Sequence, residues 1–241
     1  MVSIMCENKE KDFSLSPSPE GVRNSNVFSI PNRDFEEINK HFTESIAEIR
    51  NQFNIAINLK DSNPDAYQSI LRSQIVFLSS AFDFYMHELT IYGIINIFNG
   101  YWTNTEKYNN INVPMKVFEK SFKNPERIDS FKDFINSLYN QQSLTSEIAF
   151  NNQCNIIGIS QSKIADEAFY ETGSTIKTID SLKKTIKDLY KRRNLIAHQF
   201  DRSFLSGDKF EINQDMVETF INNIERIVNA IIKIVNEKNT L

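Results

Sequence analysis

Four long stretches of this chain repeat apolar residues in steps of three and four, and that spacing restricts it to a helical fold. From Asp34 onward, Phe35, Ile38, Phe42, Ile46, Ile49, Phe53 and Ile57 fall on one helical face. After Pro64, whose missing amide is tolerated in a first helical turn, the series Leu71, Ile75, Leu78, Phe82, Tyr85, Leu89 and Tyr92 repeats the pattern. Phe77, Ala81 and Phe84 widen that second stripe enough for more than one neighbour, which predicts a central helix. A third stripe runs Leu182, Ile186, Leu189, Arg193 and Ile196, with Thr178 or Asp180 as its cap, and a fourth runs Val217, Ile221, Ile224, Val228, Ile231 and Val235. Each face must be buried against another element, and four amphipathic helices bury one another as a bundle. Glycine and proline number only six each in 241 residues, too few to punctuate a sheet-rich fold. The expected class is therefore all-α.

Around those helices the chain divides unevenly. Residues 1–33 hold Ser14, Ser16, Pro17, Ser18, Pro19 and Gly21 with little apolar periodicity, and read as a tail; the helical domain is expected over 34–241. Residues 100–175 predict a few short helices: one from Pro114 through Phe122, a break at Pro125, and a weakly amphipathic run from Ile128 to Tyr139. The Asn- and Gln-rich run from Asn151 to Gln161, and Gly173, read as connecting loops. Trp102, Tyr101 and Tyr108 are candidates either for stacking bases or for closing a core at a helix-to-loop corner.

Composition excludes several classes. A formal charge of −4 argues against a protein that coats nucleic acid electrostatically, although Lys191, Arg192, Arg193 and Arg202, with Lys183, Lys184 and Lys187 upstream, form a local basic cluster. Two cysteines, Cys6 and Cys154, are too few for a disulfide framework or a thiolate metal site and suggest a reducing compartment. Only His41, His87 and His198 are present, no pair has metal-ligand spacing, and no metal or other cofactor is expected. No stretch of 18 uninterrupted apolar residues and no secretory leader pattern occurs, so the expected location is cytoplasmic with no membrane partner.

The run Arg193-Asn194-Leu195-Ile196-Ala197-His198 carries the chemistry. Arginine stays charged and grips phosphate oxygens with a planar fork, whereas imidazole exchanges a proton near neutral pH. Together they suit RNA cleavage without a metal ion, the imidazole moving the ribose 2′-hydroxyl proton and the guanidinium stabilising the phosphorane. A histidine in the last turn of a helix also complements the helix dipole, an ordinary structural use. Arg193, however, stands where its stripe is otherwise apolar, and a charge at a buried seam calls for a partner or ligand. Five positions span about 140° around a helix, so Arg193 and His198 do not share one face. Upstream, Asp83 and His87 lie one turn apart, as do Phe84 and Glu88; the first pair reads either as an acid–imidazole relay or as a simple helix ion pair.

On Arg193, Asn194 and His198, and on the segment Leu71 to Leu89 with its acidic Asp83, the chain resembles the HEPN superfamily, in particular its bacterial RiboL-PSP type. The resemblance covers residues 34–99 and 177–238, leaving the middle third as a helical insertion with no family counterpart. It implies a homodimeric endoribonuclease in which His198 transfers protons, Arg193 binds phosphate and Asn194 orients His198 or the phosphate. Asp83 and Glu88 would support the site, with Asp83 holding Arg193, while Lys191, Arg192 and Arg202 would bind RNA. The same resemblance implies a toxin or antiviral effector restrained by an antitoxin or regulatory protein. A HEPN-like dimerisation or nucleotide- or partner-binding module without catalysis would carry the same residues.

Overall fold

The computed structural model describes residues 34–123, 127–139 and 143–240; the expected tail with Cys6, and the break at Pro125, lie outside them. The described residues form α1 (Phe35–Leu59), α2 (Pro64–Phe98), α3 (Glu106–Asn109), α4 (Met115–Lys123), α5 (Arg127–Tyr139), α6 (Glu147–Ile157), α7 (Gln161–Phe169), α8 (Thr178–Gln199) and α9 (Gln214–Asn239). Extended pairing among them is limited to one antiparallel bridge, Arg202 with Lys209.

Local chemistry sets the ends of the long helices. The Asp34 carboxylate accepts the Glu37 amide at 2.7 Å and opens α1, whose first turn also carries Glu36 and Glu37 against the positive end of the helix dipole. Asn63 caps α2 through Ala66 with Pro64 in the first turn, and Asn213 caps α9 through Met216. At α8 the expected cap does not form: Lys177 occupies the N-cap without a side-chain bond, and Thr178 instead donates to Asp166 of α7. The α1 stripe also departs at its end, where Ala56 is buried and Ile57 is about half exposed. Repeated steps of four overshoot a 3.6-residue turn, so by the seventh position the helix has rotated Ile57 off the buried face.

Helix α2, 35 residues long, is the axis of the bundle. It packs on α1, α5, α6, α8 and α9 and contributes the fully buried Leu71, Ile75, Leu78, Phe82, Tyr85 and Met86. Its stripe widens through Gln74, Ser79, Thr90 and Gly93 rather than through Phe77 and Phe84, which stay about half exposed; only Ala81 of the expected three is buried. Among the polar members Gln74 donates to the Ile49 carbonyl and Thr90 to that of Met86, while Gln74 Oε1 and Ser79 Oγ have no hydrogen-bond partner among the described residues.

The middle segment is integral to the core. Asn151–Gln161, expected as a loop, is mostly α6, because Phe150, Cys154 and Ile157 recur at helical spacing beneath its polar residues and are buried against α2. The helix stops at Gly158, whose φ of 68° is a left-handed conformation that glycine adopts without Cβ strain. Ser160 then caps α7, which packs on α8 and α9. Trp102 closes the core at its corner: it is buried, donates its indole N–H to Asn239 at 3.0 Å, and lies under the Lys238 ammonium. Tyr101 is exposed and Tyr108 half-buried.

Candidate functional site

The motif occupies the last two turns of α8. Leu182, Ile186 and Leu189 bury the first part of its inner face, and by Arg193 the helix has reached a half-buried margin. Arg193 Nη1 donates to Asn194 Oδ1 at 2.9 Å, a partner that is polar but neutral. Among the described residues no carboxylate pairs with Arg193, in contrast to Arg50 with Glu225, Arg72 and Arg192 with Asp201, and Arg226 with Glu171. His198 is exposed in the final turn, where a positive charge would favourably meet the free carbonyls of the helix end. Asn194, a half-buried residue one turn before His198, engages Arg193 rather than the imidazole.

Immediately beyond the motif the chain reverses. Phe200 and Asp201 both take left-handed backbone angles, φ 54° and 58°, which costs about 1–2 kcal/mol for each such non-glycine residue. The offset is visible at Asp201, whose carboxylate is wholly buried between two guanidiniums. Arg72 Nε of α2 reaches Oδ2 at 2.7 Å and Arg192 Nη2 of α8 reaches the same oxygen at 2.9 Å. The two arginines continue outward, Arg72 Nη2 to the Phe210 carbonyl at 2.7 Å and Arg192 Nη2 to that of Glu211 at 2.8 Å. Burial lowers the Arg192 pKa, Asp201 raises it in opposition, and Arg72 lowers it further. Buried ion pairs of this kind are not large net stabilisers, yet losing one partner strands the remaining charge at a cost of about 3–5 kcal/mol.

Two of the residues expected to bind RNA bond inside this region instead. Arg192 turns inward onto Asp201, and Arg202 donates to the Gly207 carbonyl within the 201–210 hairpin, so of the three expected contacts only Lys191 remains an exposed cation without such a bond among the described residues. Both redirections have the same cause: the carbonyls of a tight reversal need donors, and the nearest guanidiniums supply them.

Asp83 is likewise engaged away from Arg193. Its Oδ1 accepts the Leu144 amide at 2.6 Å and the Ser143 hydroxyl at 3.3 Å, so it secures the segment that leads into α6. Asp83 Oδ2 lies 3.7 Å from His87 Nε2, both side chains partly buried, so the pair is less exposed than a simple surface contact. Glu88 is half-buried on the next turn of α2. Among the described residues no three His, Cys, Asp or Glu side chains gather into a group able to hold a metal ion, and no helix is long and apolar enough to cross a membrane.

Asp201 and Arg72 are the polar residues near the motif that sequence reasoning missed. Arg72 had a faint signal, since it directly follows Leu71 on a helix whose buried face is unusually wide. Asp201 had none beyond its place after a helix end.

The described residues thus form a helical core whose penultimate helix ends on an Arg-Asn pair and a histidine five residues after the arginine. Residues 34–237 match the family model described as RiboL-PSP-HEPN, and the chain belongs to that family. The matched span extends across the middle third. No curated protein and no solved structure matches the chain.

Proposed function

We propose that the chain is a HEPN-type endoribonuclease that cleaves RNA by attack of a ribose 2′-hydroxyl on the adjacent phosphate, without a metal ion. One observation carries the reading: among the described residues Arg193 keeps a guanidinium paired only with a neutral amide, five residues from an exposed imidazole, on a helix whose neighbouring Arg192 is bonded to a carboxylate. An uncompensated guanidinium can grip two phosphate oxygens in its fork. His198 then takes the 2′-hydroxyl proton, the 2′-oxygen bonds to phosphorus, and the bond from phosphorus to the 5′-oxygen breaks. A protonated imidazole returns a proton to the leaving oxygen, so the products are a 2′,3′-cyclic phosphate and a 5′-hydroxyl. Arg193 stabilises the added negative charge of the phosphorane, and Asn194 holds Arg193.

The angle between Arg193 and His198 favours a homodimer, in which one protomer's arginine meets its partner's histidine across a two-fold axis. Lys191 attracts the RNA, while Asp83 and Glu88 act only as supports on α2. Unrestrained cleavage of cellular RNA harms its own host. A toxin or antiviral effector, held by an antitoxin or regulatory protein, is accordingly the biological setting of the proposal. The competing reading is a non-catalytic dimerisation or nucleotide- or partner-binding module. The internal engagement of Arg192 and Arg202, which thins the basic cluster, is the observation in its favour.

Purified full-length protein incubated with total RNA in excess chelator tests the choice, with end-group analysis of the fragments and light scattering of the protein. The enzyme reading requires fragments ending in a cyclic phosphate and a dimer at micromolar concentration. Intact RNA across triggers, or cleavage abolished by the chelator, would replace it.

A further inference from the structure

One buried bridge brackets the motif. Arg192 directly precedes Arg193, and Asp201 follows the last residue of α8 by two positions, so both ends of the catalytic run are fastened to the same carboxylate. Asp201 is wholly buried although Phe200, Arg202, Phe204 and Leu205 around it are exposed. Its backbone is fixed as tightly as its side chain: the Asp201 amide turns back to the Leu195 carbonyl at 2.9 Å, and its carbonyl receives the Phe210 amide at 2.8 Å. Leu195 lies in the helical turn that carries Asn194 and His198. Arg72, bonded to both the Asp201 carboxylate and the Phe210 carbonyl, ties this whole reversal to α2, the axis of the bundle.

We propose that Asp201 is a positioning residue for His198, the Arg72–Asp201–Arg192 bridge setting the angle at which the last turn of α8 presents the imidazole relative to Arg193. The proposal rests on the reading of Arg193 and His198 as the RNA-cleaving pair. A helix end frays when its final carbonyls lack partners, and here the side chains of the bridge tie the reversal to α2 and α8, while Arg202 and Ser203 bond only within it. Asp201 touches neither the phosphate nor the ribose in this scheme. It acts through the backbone, and its loss should therefore lower turnover while leaving the phosphate grip of Arg193.

Asp201→Asn keeps the shape and one acceptor oxygen but leaves two buried guanidiniums without a counter-charge. Arg72→Lys keeps the charge and removes the fork that also holds Phe210. Amide hydrogen exchange should accelerate by roughly tenfold or more over residues 195–201 in Asp201→Asn, with the centres of α1 and α9 unchanged. On RNA, kcat should fall by roughly tenfold to a hundredfold with KM within about threefold, and Arg72→Lys should be intermediate in both measurements. A folded Asp201→Asn protein with parental exchange at 195–201 overturns the proposal, as does faster exchange with parental kcat, or a rise in KM at constant kcat. Global unfolding of both variants overturns it as well, because the bridge would then be a requirement of the entire fold. If the parent cuts no RNA, the ribonuclease reading fails by itself, and the exchange pattern still decides whether Asp201 orders the turn that bears His198.

Discussion

Gly93 sits where α2 meets α6, and replacing it with alanine places two opposing effects on one methyl group. In the interior of a 35-residue helix alanine is favoured over glycine by about 1 kcal/mol, because the unfolded glycine chain has more freedom to lose. Against that, a Cβ at this position would lie 2.6 Å from Ile157 Cγ2, 2.7 Å from Ile157 Cβ and 2.9 Å from Trp102 Cζ3. Ordinary carbon contacts begin near 3.5 Å, so both neighbours would have to retreat by more than half an ångström. Neither can do so cheaply: Ile157 is fully buried on α6 and meets the new methyl at its branched Cβ, and Trp102 is held by its bond to Asn239. Overpacking of this kind costs about 1–3 kcal/mol, and the rigid surroundings place it at the upper end. The net expectation is a loss of about 1–2 kcal/mol, lowering Tm by about 2–8 °C for a domain of this size. Differential scanning calorimetry on the parent and Gly93→Ala reads the shift. A Tm equal to or above the parent's would mean that helix propensity outweighs the contact and that α2 and α6 do not approach as closely as described.

Three further outcomes follow from burial and charge. Cys154 is fully buried, which pushes its thiol up to about 12, so in a Cys6→Ser background iodoacetamide at pH 8 should label the protein only after denaturant is added; rapid labelling of the native form would contradict the burial. Because this acid is raised in the folded state, its contribution to stability is intact below the unfolded thiol's pKa near 9 and declines as pH climbs toward 12. The buried Tyr85 phenol, also raised, acts in the same direction, so urea midpoints should drop between pH 8.5 and about 11, and a flat profile would refute the assignment. Arg193→Lys should keep the fold yet lose about one to two decades of kcat/KM, the scale of a charge-assisted hydrogen bond of about 1.5–3 kcal/mol, and parental kinetics would show that the fork is not used.

The long helices were legible because their information is periodic and local. Six residues of α1 and six of α9 announce their buried faces without reference to any neighbour, and Asp34, Pro64 and the scarcity of glycine fix where helices begin and how little else fits. Expectations failed where the decisive interaction lay elsewhere in the chain. The run from Asn151 to Gln161 looks like a loop until α2 is present to bury Phe150, Cys154 and Ile157. Phe77 and Phe84 look like core residues until the width of α1 is known, and the stripe then closes on Ala81 and Gln74 instead. At the motif, residue types and spacing singled out Arg193, Asn194 and His198, but not the roles of their neighbours. Arg192 and Arg202 have the same sequence appearance as phosphate ligands, and only the reversal after Gln199 turns their guanidiniums onto Asp201 and Gly207. Arg72 and Asp201 are 129 residues apart, a pairing that no local pattern encodes.

Single-turnover cleavage of a defined oligoribonucleotide by the parent and by His198→Ala tests the proposed proton transfer by His198. The imidazole is exposed and has no polar partner among the described residues, so its removal should leave Tm within about 2 °C, as expected of a surface substitution worth less than about 0.5 kcal/mol. The rate should fall by about two to four decades, the range for lost acid–base catalysis. A folded His198→Ala protein that cuts the oligonucleotide as fast as the parent, to the same cyclic-phosphate ends, would contradict the account.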